Sequence, residues 1–168
     1  MTQPSVLIAS ATNGTISGFG LTTTVNITAN GGTAPYTGTG IYTVSAGAYS
    51  YTVTDARGCI SVITGTLTQP ALLVASATNN SVLCNGGTAT VAVSATGGVG
   101  PYTGVGTYTR LAGPYSYTVT DANGNTSVAT GTILQPSALS SSVANGTINC
   151  NGGTANVNIT ASGGVGPY

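Results

Sequence analysis

Asp55 and Asp121 are the only carboxylate side chains in the 168 residues of this chain, and 66 positions separate them. Catalysis by a carboxylate pair needs the two groups roughly 5–10 Å apart in one site. Because these aspartates occupy equivalent positions of a sequence repeat, we expect them to lie a whole copy apart. We therefore predict that each carboxylate caps the backbone of its own turn. A calcium site is a weaker alternative, since such sites usually need more carboxylates.

Most side chains of common catalytic and cofactor sites are missing from the sequence. It contains no histidine, lysine, glutamate or tryptophan. A Ser-His-Asp or Cys-His arrangement therefore cannot form within this chain, and a zinc site of the usual Cys/His type is unsupported. The glycine pairs Gly31-Gly32 and Gly97-Gly98 lack the lysine and helix that follow a phosphate-binding loop, and we interpret them as turns. We predict that the chain is not an enzyme and has no catalytic residue, cofactor or metal.

The three cysteines occupy two positions of the repeat. The first cysteine position holds Gly18, Cys84 and Cys150, and the second holds Cys59 and Asn125. Pairing within a copy would join the two positions, and it is interrupted in both copies. Pairing across a copy boundary leaves Cys59 and Cys84 intact, so we predict a disulfide between them. The alternative is that all three are small buried thiols.

The nine tyrosines all fall at repeat-related positions. Four of them alternate with polar residues in the segment YSYTVT and are predicted to face the core: Tyr49, Tyr51, Tyr115 and Tyr117. Three others follow proline in glycine-rich turns and are candidates for surface contact with a sugar: Tyr36, Tyr102 and Tyr168. Packing is the favoured interpretation even for these three, because aromatic side chains more often pack than bind ligands.

The charge of the chain excludes two classes of partner. Charged residues make up 2% of the sequence and the net charge is zero. Phosphate backbones and anionic membrane surfaces attract clustered lysine and arginine, and Arg57 and Arg110 cannot supply such a cluster. The longest apolar run, Ala71–Ala75, is too short to cross a bilayer. We therefore expect neither nucleic acid binding nor membrane insertion.

Internal repetition decides the domain organisation. Gln3-Pro4, Gln69-Pro70 and Gln135-Pro136 recur at a spacing of 66 residues, and YSYTVTDA at Tyr49–Ala56 recurs at Tyr115–Ala122. The predicted domains are residues 1–69, residues 70–135 and a partial third copy, residues 136–168. Since half a copy cannot close a core of its own, we expect the chain to be a window onto a longer array.

Strand patterns within each copy predict an all-β fold. In the second copy Val91, Val93 and Ala95 alternate with polar or small residues, as in a half-buried strand. The predicted strands are Leu72–Thr78, Thr88–Thr96, one or two within Tyr102–Arg110, Tyr115–Thr120 and Thr126–Leu134, about six in all. We predict tandem immunoglobulin-like antiparallel β-sandwiches of 66 residues. Domains this small are marginally stable alone, so neighbouring copies should pack at the Gln-Pro junctions.

The sequence resembles the SprB repeat family of Bacteroidota surface proteins over essentially its whole length. The matching segments are CNGGTATVAVSATGGVGPYTG at Cys84–Gly104, AGAYSYTVTDARGC at Ala46–Cys59, and the TQP and LQP junctions. Many family members carry a tryptophan after the Pro-Tyr pair, where this chain has TGTG or TGVG. The resemblance implies a long repetitive cell-surface protein, exported by the type 9 secretion system, that serves as a gliding adhesin or surface filament.

We therefore expect a structural or adhesive segment of an extracellular cell-surface protein. Its expected partners are neighbouring repeats of the same chain, and weakly charged sheet edges favour self-association into filaments. The alternative is a carbohydrate-binding surface module that contacts polysaccharide through the Pro-Tyr turns.

Overall fold

The fold is all-β: 53% of the chain is strand and no helix is present among residues 4–168, which the computed structural model describes. Five strands form in each of the first two copies and two in the third. In chain order they are β1 (Ile8–Asn13), β2 (Thr22–Asn30), β3 (Gly40–Ser45), β4 (Gly47–Thr54), β5 (Ile60–Leu67), β6 (Val74–Asn79), β7 (Thr88–Thr96), β8 (Gly106–Leu111), β9 (Gly113–Thr120), β10 (Thr126–Ile133), β11 (Ser140–Asn145) and β12 (Val157–Ser162).

Each of the first two copies forms one three-stranded and one two-stranded sheet. The first copy has the orders β1-β2-β3 and β4-β5, and the second copy has β6-β7-β8 and β9-β10. Neighbouring strands of the first copy are antiparallel, with Ile8 opposite Asn30 in β1–β2 and Thr54 opposite Ile60 in β4–β5. The third copy contributes the antiparallel pair β11–β12. Several small antiparallel sheets therefore make up residues 4–168.

The strand predictions agree with the structure where side chains alternate clearly. Strand β7 has the predicted limits, with Val91 and Val93 buried between exposed neighbours. In β9 the predicted inward face is also correct, although the strand begins at Gly113, before the predicted start at Tyr115. Five strands form in place of about six, because the segment Tyr102–Arg110 contributes to one strand, which runs from Gly106 to Leu111.

A turn at Asp121–Gly124 connects β9 to β10. An Asn-Gly pair readily takes the positive φ angles of a tight two-residue hairpin. Only Gly124 has one, at 84°, whereas Asn123 does not. The Gly124 N–H donates to the Asp121 carbonyl at 3.1 Å. A single glycine in the left-handed region thus closes this turn.

The core of the first copy takes side chains from both of its sheets. Ala9 of β1, Val25 and Ile27 of β2, Val53 of β4 and Leu67 of β5 are buried together. The ring centroids of Tyr42 and Tyr51 lie 4.2 Å apart, and both rings pack against this core. The predicted inward-facing tyrosines Tyr49, Tyr51, Tyr115 and Tyr117 are all buried or half-buried.

The third copy shows what the second sheet contributes to burial. Ile159 of β12 occupies the position of Ile27 in β2, yet Ile159 is 68% exposed and Ile27 is 1% exposed. Val157 and Val25 differ in the same way, at 60% and 0%. The partial copy has no counterpart of the β4–β5 pair that would cover these side chains. The hydrophobic positions of one sheet are therefore buried by the other.

The chain divides into two compact units whose limits cross the sequence repeat. The first comprises the chain up to Val74 with Thr96–Tyr102 and Thr120–Thr126. The second comprises Ala75–Ala95, Thr103–Val119 and Ser127–Tyr168. The first unit thus joins one copy to two turns of the next. The domain limits at residues 69 and 135 stay a prediction.

Replacing Val25 with alanine should lower the free energy of unfolding by about 2 kcal/mol, because it deletes buried methyl groups and leaves a cavity. Val62 of β5 is 56% exposed, so Val62→Ala should cost less than about 0.5 kcal/mol. Equilibrium urea unfolding measures both effects. Equal losses for the two variants would contradict the two-sheet core.

Candidate functional site

Asp55 directly follows β4, and its carboxylate accepts hydrogen bonds from two loops of the first copy. Its Oδ1 accepts hydrogen bonds from the backbone N–H groups of Arg57 at 2.9 Å and Cys59 at 2.8 Å. Its Oδ2 accepts one from the N–H of Thr33 at 3.0 Å. The side chain is buried, and burial of an ionised group requires such compensation. Asp55 therefore caps the backbone, as predicted.

Asp121 makes the same arrangement in the second copy and adds a side-chain partner. Its Oδ1 accepts from the N–H groups of Asn123 and Asn125, both at 2.9 Å, and its Oδ2 accepts from the N–H of Val99 at 3.0 Å. The carboxamide Nδ2 of Asn125 also donates to Oδ2 at 3.0 Å. All of these hydrogen-bond partners come from the same copy as the carboxylate that they bond. Each aspartate therefore caps the backbone of its own turn, as expected.

Because Gly32 has no side chain, its loop can approach Asp55 closely enough to form a hydrogen bond with the carboxylate. Its φ angle is +61°, and a Cβ placed on it would lie 2.7 Å from Asp55 Oδ2. Gly98 has the same relation to Asp121, at φ +59° and 2.7 Å. Only glycine combines this backbone conformation with so close an approach. The glycine pairs are thus turns, and their role is to admit a carboxylate.

The hydrogen bonds stabilise the ionised form of both aspartates. For Asp55, burial acts to raise the pKa, but the N–H groups of Cys59, Thr33 and Arg57 together outweigh it and leave the pKa below its usual value. For Asp121, the Asn125 carboxamide is the largest influence and lowers the pKa; burial opposes it, and the N–H groups of Asn125, Val99 and Asn123 lower it further. Hydrogen bonds to a carboxylate favour its charged state.

The tyrosines of the Pro-Tyr turns are held by their own loops. Tyr36 donates its hydroxyl proton to the Gly31 carbonyl, and Tyr102 does so to the Gly97 carbonyl, each at 2.6 Å. Both rings are half-buried, whereas Tyr168 is 69% exposed. The hydroxyls of Tyr36 and Tyr102 thus have partners without a ligand. A sugar contact at these three residues stays a prediction, and a glycan array with Tyr102→Ala as the control tests it.

Cys59, Cys84 and Cys150 are free thiols in the structure, and all three are exposed. The alternative of three buried thiols is therefore wrong. Their exposure follows from their positions in polar turns, outside the strands that build the core. The structure does not join Cys59 to Cys84, the pair expected from the sequence.

Within the first compact unit, a turn of the second copy contacts a loop of the first copy. The Ser17 carbonyl accepts hydrogen bonds from the carboxamides of Asn123 at 2.8 Å and Asn125 at 2.9 Å. Phe19, which is 55% exposed, lines a cavity together with Asn125. We call Ser17, Gly18, Phe19, Asn123 and Asn125 the junction surface. Because Asn125 also bonds to Asp121, the carboxylate that shapes the turn orients the side chain that reaches the preceding copy.

The glutamine that precedes each junction proline anchors the same loop. Gln69 accepts a hydrogen bond from the N–H of Gly20 at 2.8 Å, and Gln135 accepts one from Gly86 at the same distance. In the second copy Asn85 also donates its side-chain N–H to the Pro136 carbonyl at 3.0 Å. The loop that carries the first cysteine position is therefore fastened to the segment where its copy ends.

The sequence reasoning did not identify the junction surface. One signal for it exists: Gly18 and Asn125 are the two places where a cysteine position of a full copy lacks cysteine. The absence of cysteine from both positions indicates contact between the first cysteine position of one copy and the second cysteine position of the next.

Among residues 4–168, no three His, Cys, Asp or Glu side chains lie together as a metal site would require. Over the same range, no helix has the length and hydrophobicity of a transmembrane segment.

Acid should destabilise the protein through Asp55 and Asp121. Because their pKa is lowered in the folded state, they stabilise the fold fully above the pKa of the unfolded chain, about 4, and this contribution is lost as the pH falls through the lower, folded pKa. We expect the melting temperature to be level between about pH 5 and 7 and to fall below about pH 4. Differential scanning calorimetry across this range measures it.

The double variant Asp55→Asn/Asp121→Asn is the control. It should melt at a lower temperature at pH 7, because each new amide directs an NH2 group or a weaker acceptor at backbone N–H donors. Its melting temperature should also depend much less on pH between 2 and 5. An acid dependence as steep as that of the unaltered protein would contradict the assigned role of the aspartates.

Comparison of the chain with protein-family models finds no matching family. A comparison with curated proteins finds no matching relative.

Proposed function

We propose that the chain is a structural or adhesive repeat segment of a long extracellular cell-surface protein, with each 66-residue copy folded as a small immunoglobulin-like β-sandwich. The copies follow one another in series and form a stalk or adhesin. The resemblance to SprB repeats supports this proposal and suggests a role in surface attachment or gliding, with export by the type 9 secretion system. The neighbouring repeats of the same chain are the principal partners.

The contact between the Ser17 carbonyl and the carboxamides of Asn123 and Asn125 carries the proposal. It gives one copy a specific polar contact to the next, in addition to the covalent Gln-Pro linkage. Proline restricts the backbone at that linkage, and the bond from Gly20 to Gln69 limits it further. Several restraints at one junction favour a stiff connection over a flexible linker.

Two further observations support the repeated sandwich. The fully buried side chains recur at a spacing of 66 residues, as in the pairs Val25 and Val91, and Val53 and Val119. The carboxylate turns recur with the same donors, at positions 33, 57 and 59 in the first copy and 99, 123 and 125 in the second. Equivalent residues thus perform equivalent packing and hydrogen bonding in both copies.

The surface chemistry suits a structural role outside the cell. Four charged side chains are present, and the two aspartates are used within turns. Exposed apolar residues such as Ile41 and Ile60 lie on strands of the first copy. Strands with few charges associate edge to edge more readily, so lateral assembly into filaments belongs to the proposal.

Electron microscopy of the purified native protein is the direct test. Strands of roughly eight residues, at about 3.3 Å per residue, give each copy a length of roughly 25–40 Å. We expect thin fibres whose length increases by this amount with each added copy. Compact particles of the same mass would contradict the serial arrangement.

The junction should also respond to a single substitution. Asn123→Ala removes one bond to Ser17 and retains the backbone N–H that Asp121 accepts. We expect a broader distribution of distances between spin labels on the first and second copies, measured by pulsed electron resonance, with an unchanged melting temperature. Arg57→Ala, at the equivalent position of the first copy, is the matched control and should leave that distribution unchanged. An unaltered distribution in Asn123→Ala would count against a junction stiffened by this contact.

A further inference from the structure

All three cysteines of the chain fall at two positions of the repeat, and the structure brings those two positions together across a copy boundary. Gly18 occupies the first cysteine position of the first copy, and Asn125 occupies the second cysteine position of the second copy. A Cβ placed on Gly18 would have three atoms of the Asn125 carboxamide as its nearest neighbours, among them Cγ at 2.9 Å and Nδ2 at 3.0 Å.

These distances set the separation of the two Cβ atoms. Asn125 Cγ is one carbon–carbon bond, about 1.5 Å, from its own Cβ. The Gly18 and Asn125 Cβ positions are therefore at most about 4.4 Å apart, and more than 3.0 Å because the Asn125 Cβ is not among the three nearest atoms. Disulfides have Cβ–Cβ distances of about 3.5–4.5 Å. Cysteines at these two positions would meet within bonding range.

The cysteines present in the chain occupy the matching ends of their own copies. Cys59 lies with Pro4 and Leu7 around a cavity where the first copy begins. Cys84 is two residues before Gly86, which bonds to Gln135 where the second copy ends. Cys59 thus lies at the position through which Asn125 of the second copy meets the first copy, and Cys84 lies at the position that Gly18 occupies in the first copy.

We propose that the first cysteine position of each copy forms a disulfide with the second cysteine position of the following copy. Gly18 and Asn125 are then the pair in which both cysteines are replaced, and the Asn125 carboxamide fills the space and bonds to the Ser17 carbonyl instead. In this register Cys59 and Cys84 do not pair with each other, and it replaces the Cys59–Cys84 disulfide expected from the sequence. This inference rests on the proposed function, because it requires copies in series.

The bond forms by thiol–disulfide exchange with a small disulfide such as oxidised glutathione. One cysteine thiolate attacks the glutathione disulfide and releases one reduced glutathione, and the second thiolate then displaces the other from the mixed disulfide. The two cysteines lose two electrons and two protons, and two molecules of reduced glutathione carry them away.

The variant Gly18→Cys/Asn125→Cys tests the register within this chain. Cys59, Cys84 and Cys150 are replaced by serine so that no other thiol competes. The φ angle of Gly18 is not in the left-handed region, so its backbone accepts a side chain. After oxidation with glutathione we expect a monomer that has lost the mass of two hydrogen atoms, a linked peptide pair in the non-reduced digest, and a melting temperature several degrees higher that reduction reverses.

Two controls make the result specific. Each single cysteine variant should give only a mixed disulfide with glutathione. The unaltered chain, oxidised in the same way at low concentration, should give no intramolecular link between Cys59 and Cys84. Should the double variant fail to fold, the unaltered chain still tests the register, through the expected absence of a Cys59–Cys84 link.

A folded double variant that stays unlinked overturns the inference, and so does a Cys59–Cys84 link in the unaltered monomer. Neither result bears on the fibres seen by electron microscopy, which test the serial arrangement by itself. Compact particles together with a linked double variant would refute the array while leaving the contact between the two positions intact.

Discussion

Burial of one small sheet by another is the constraint on which this structure depends. A copy contains a three-stranded sheet whose apolar residues become inaccessible only where the two-stranded sheet covers them. The third copy, which lacks the covering sheet, illustrates this: Ile159 is exposed, whereas Ile27 at the equivalent position of the first copy is buried. Two- and three-stranded sheets are marginally stable unless another layer packs on them.

The buried aspartate links the packing of the two sheets within a copy to the contact between copies. Each carboxylate accepts hydrogen bonds from N–H groups of two loops at the same end of its copy. These bonds fix the shape of the turn that follows the fourth strand of the copy. In the second copy that turn carries Asn123 and Asn125, whose side chains reach the Ser17 carbonyl. In a chain with only four charged side chains, amide groups make this contact, and salt should weaken it little because no charge pair is involved.

The sequence predicted most where side chains alternate or recur. The limits of β7, the inward tyrosines and the capping role of the aspartates all follow from local patterns, and the structure agrees with them. The weaker predictions concerned glycine-rich segments: Tyr102–Arg110 yields one strand that begins at Gly106, because glycine favours turns as readily as strands. The contact of Asn125 with Ser17 depends on residues more than a hundred positions apart, so no local pattern could reveal it.

Native-state amide hydrogen exchange, followed by NMR on the whole chain, tests most directly whether each copy closes its own two-layer core. Strands β2 and β12 occupy equivalent positions, and only β2 has a covering sheet. We expect strong protection of the Val25 and Ile27 amides and exchange near the unfolded rate for Val157 and Ile159, because only the first pair lies beneath a second sheet. Similar protection of the two strands would contradict it.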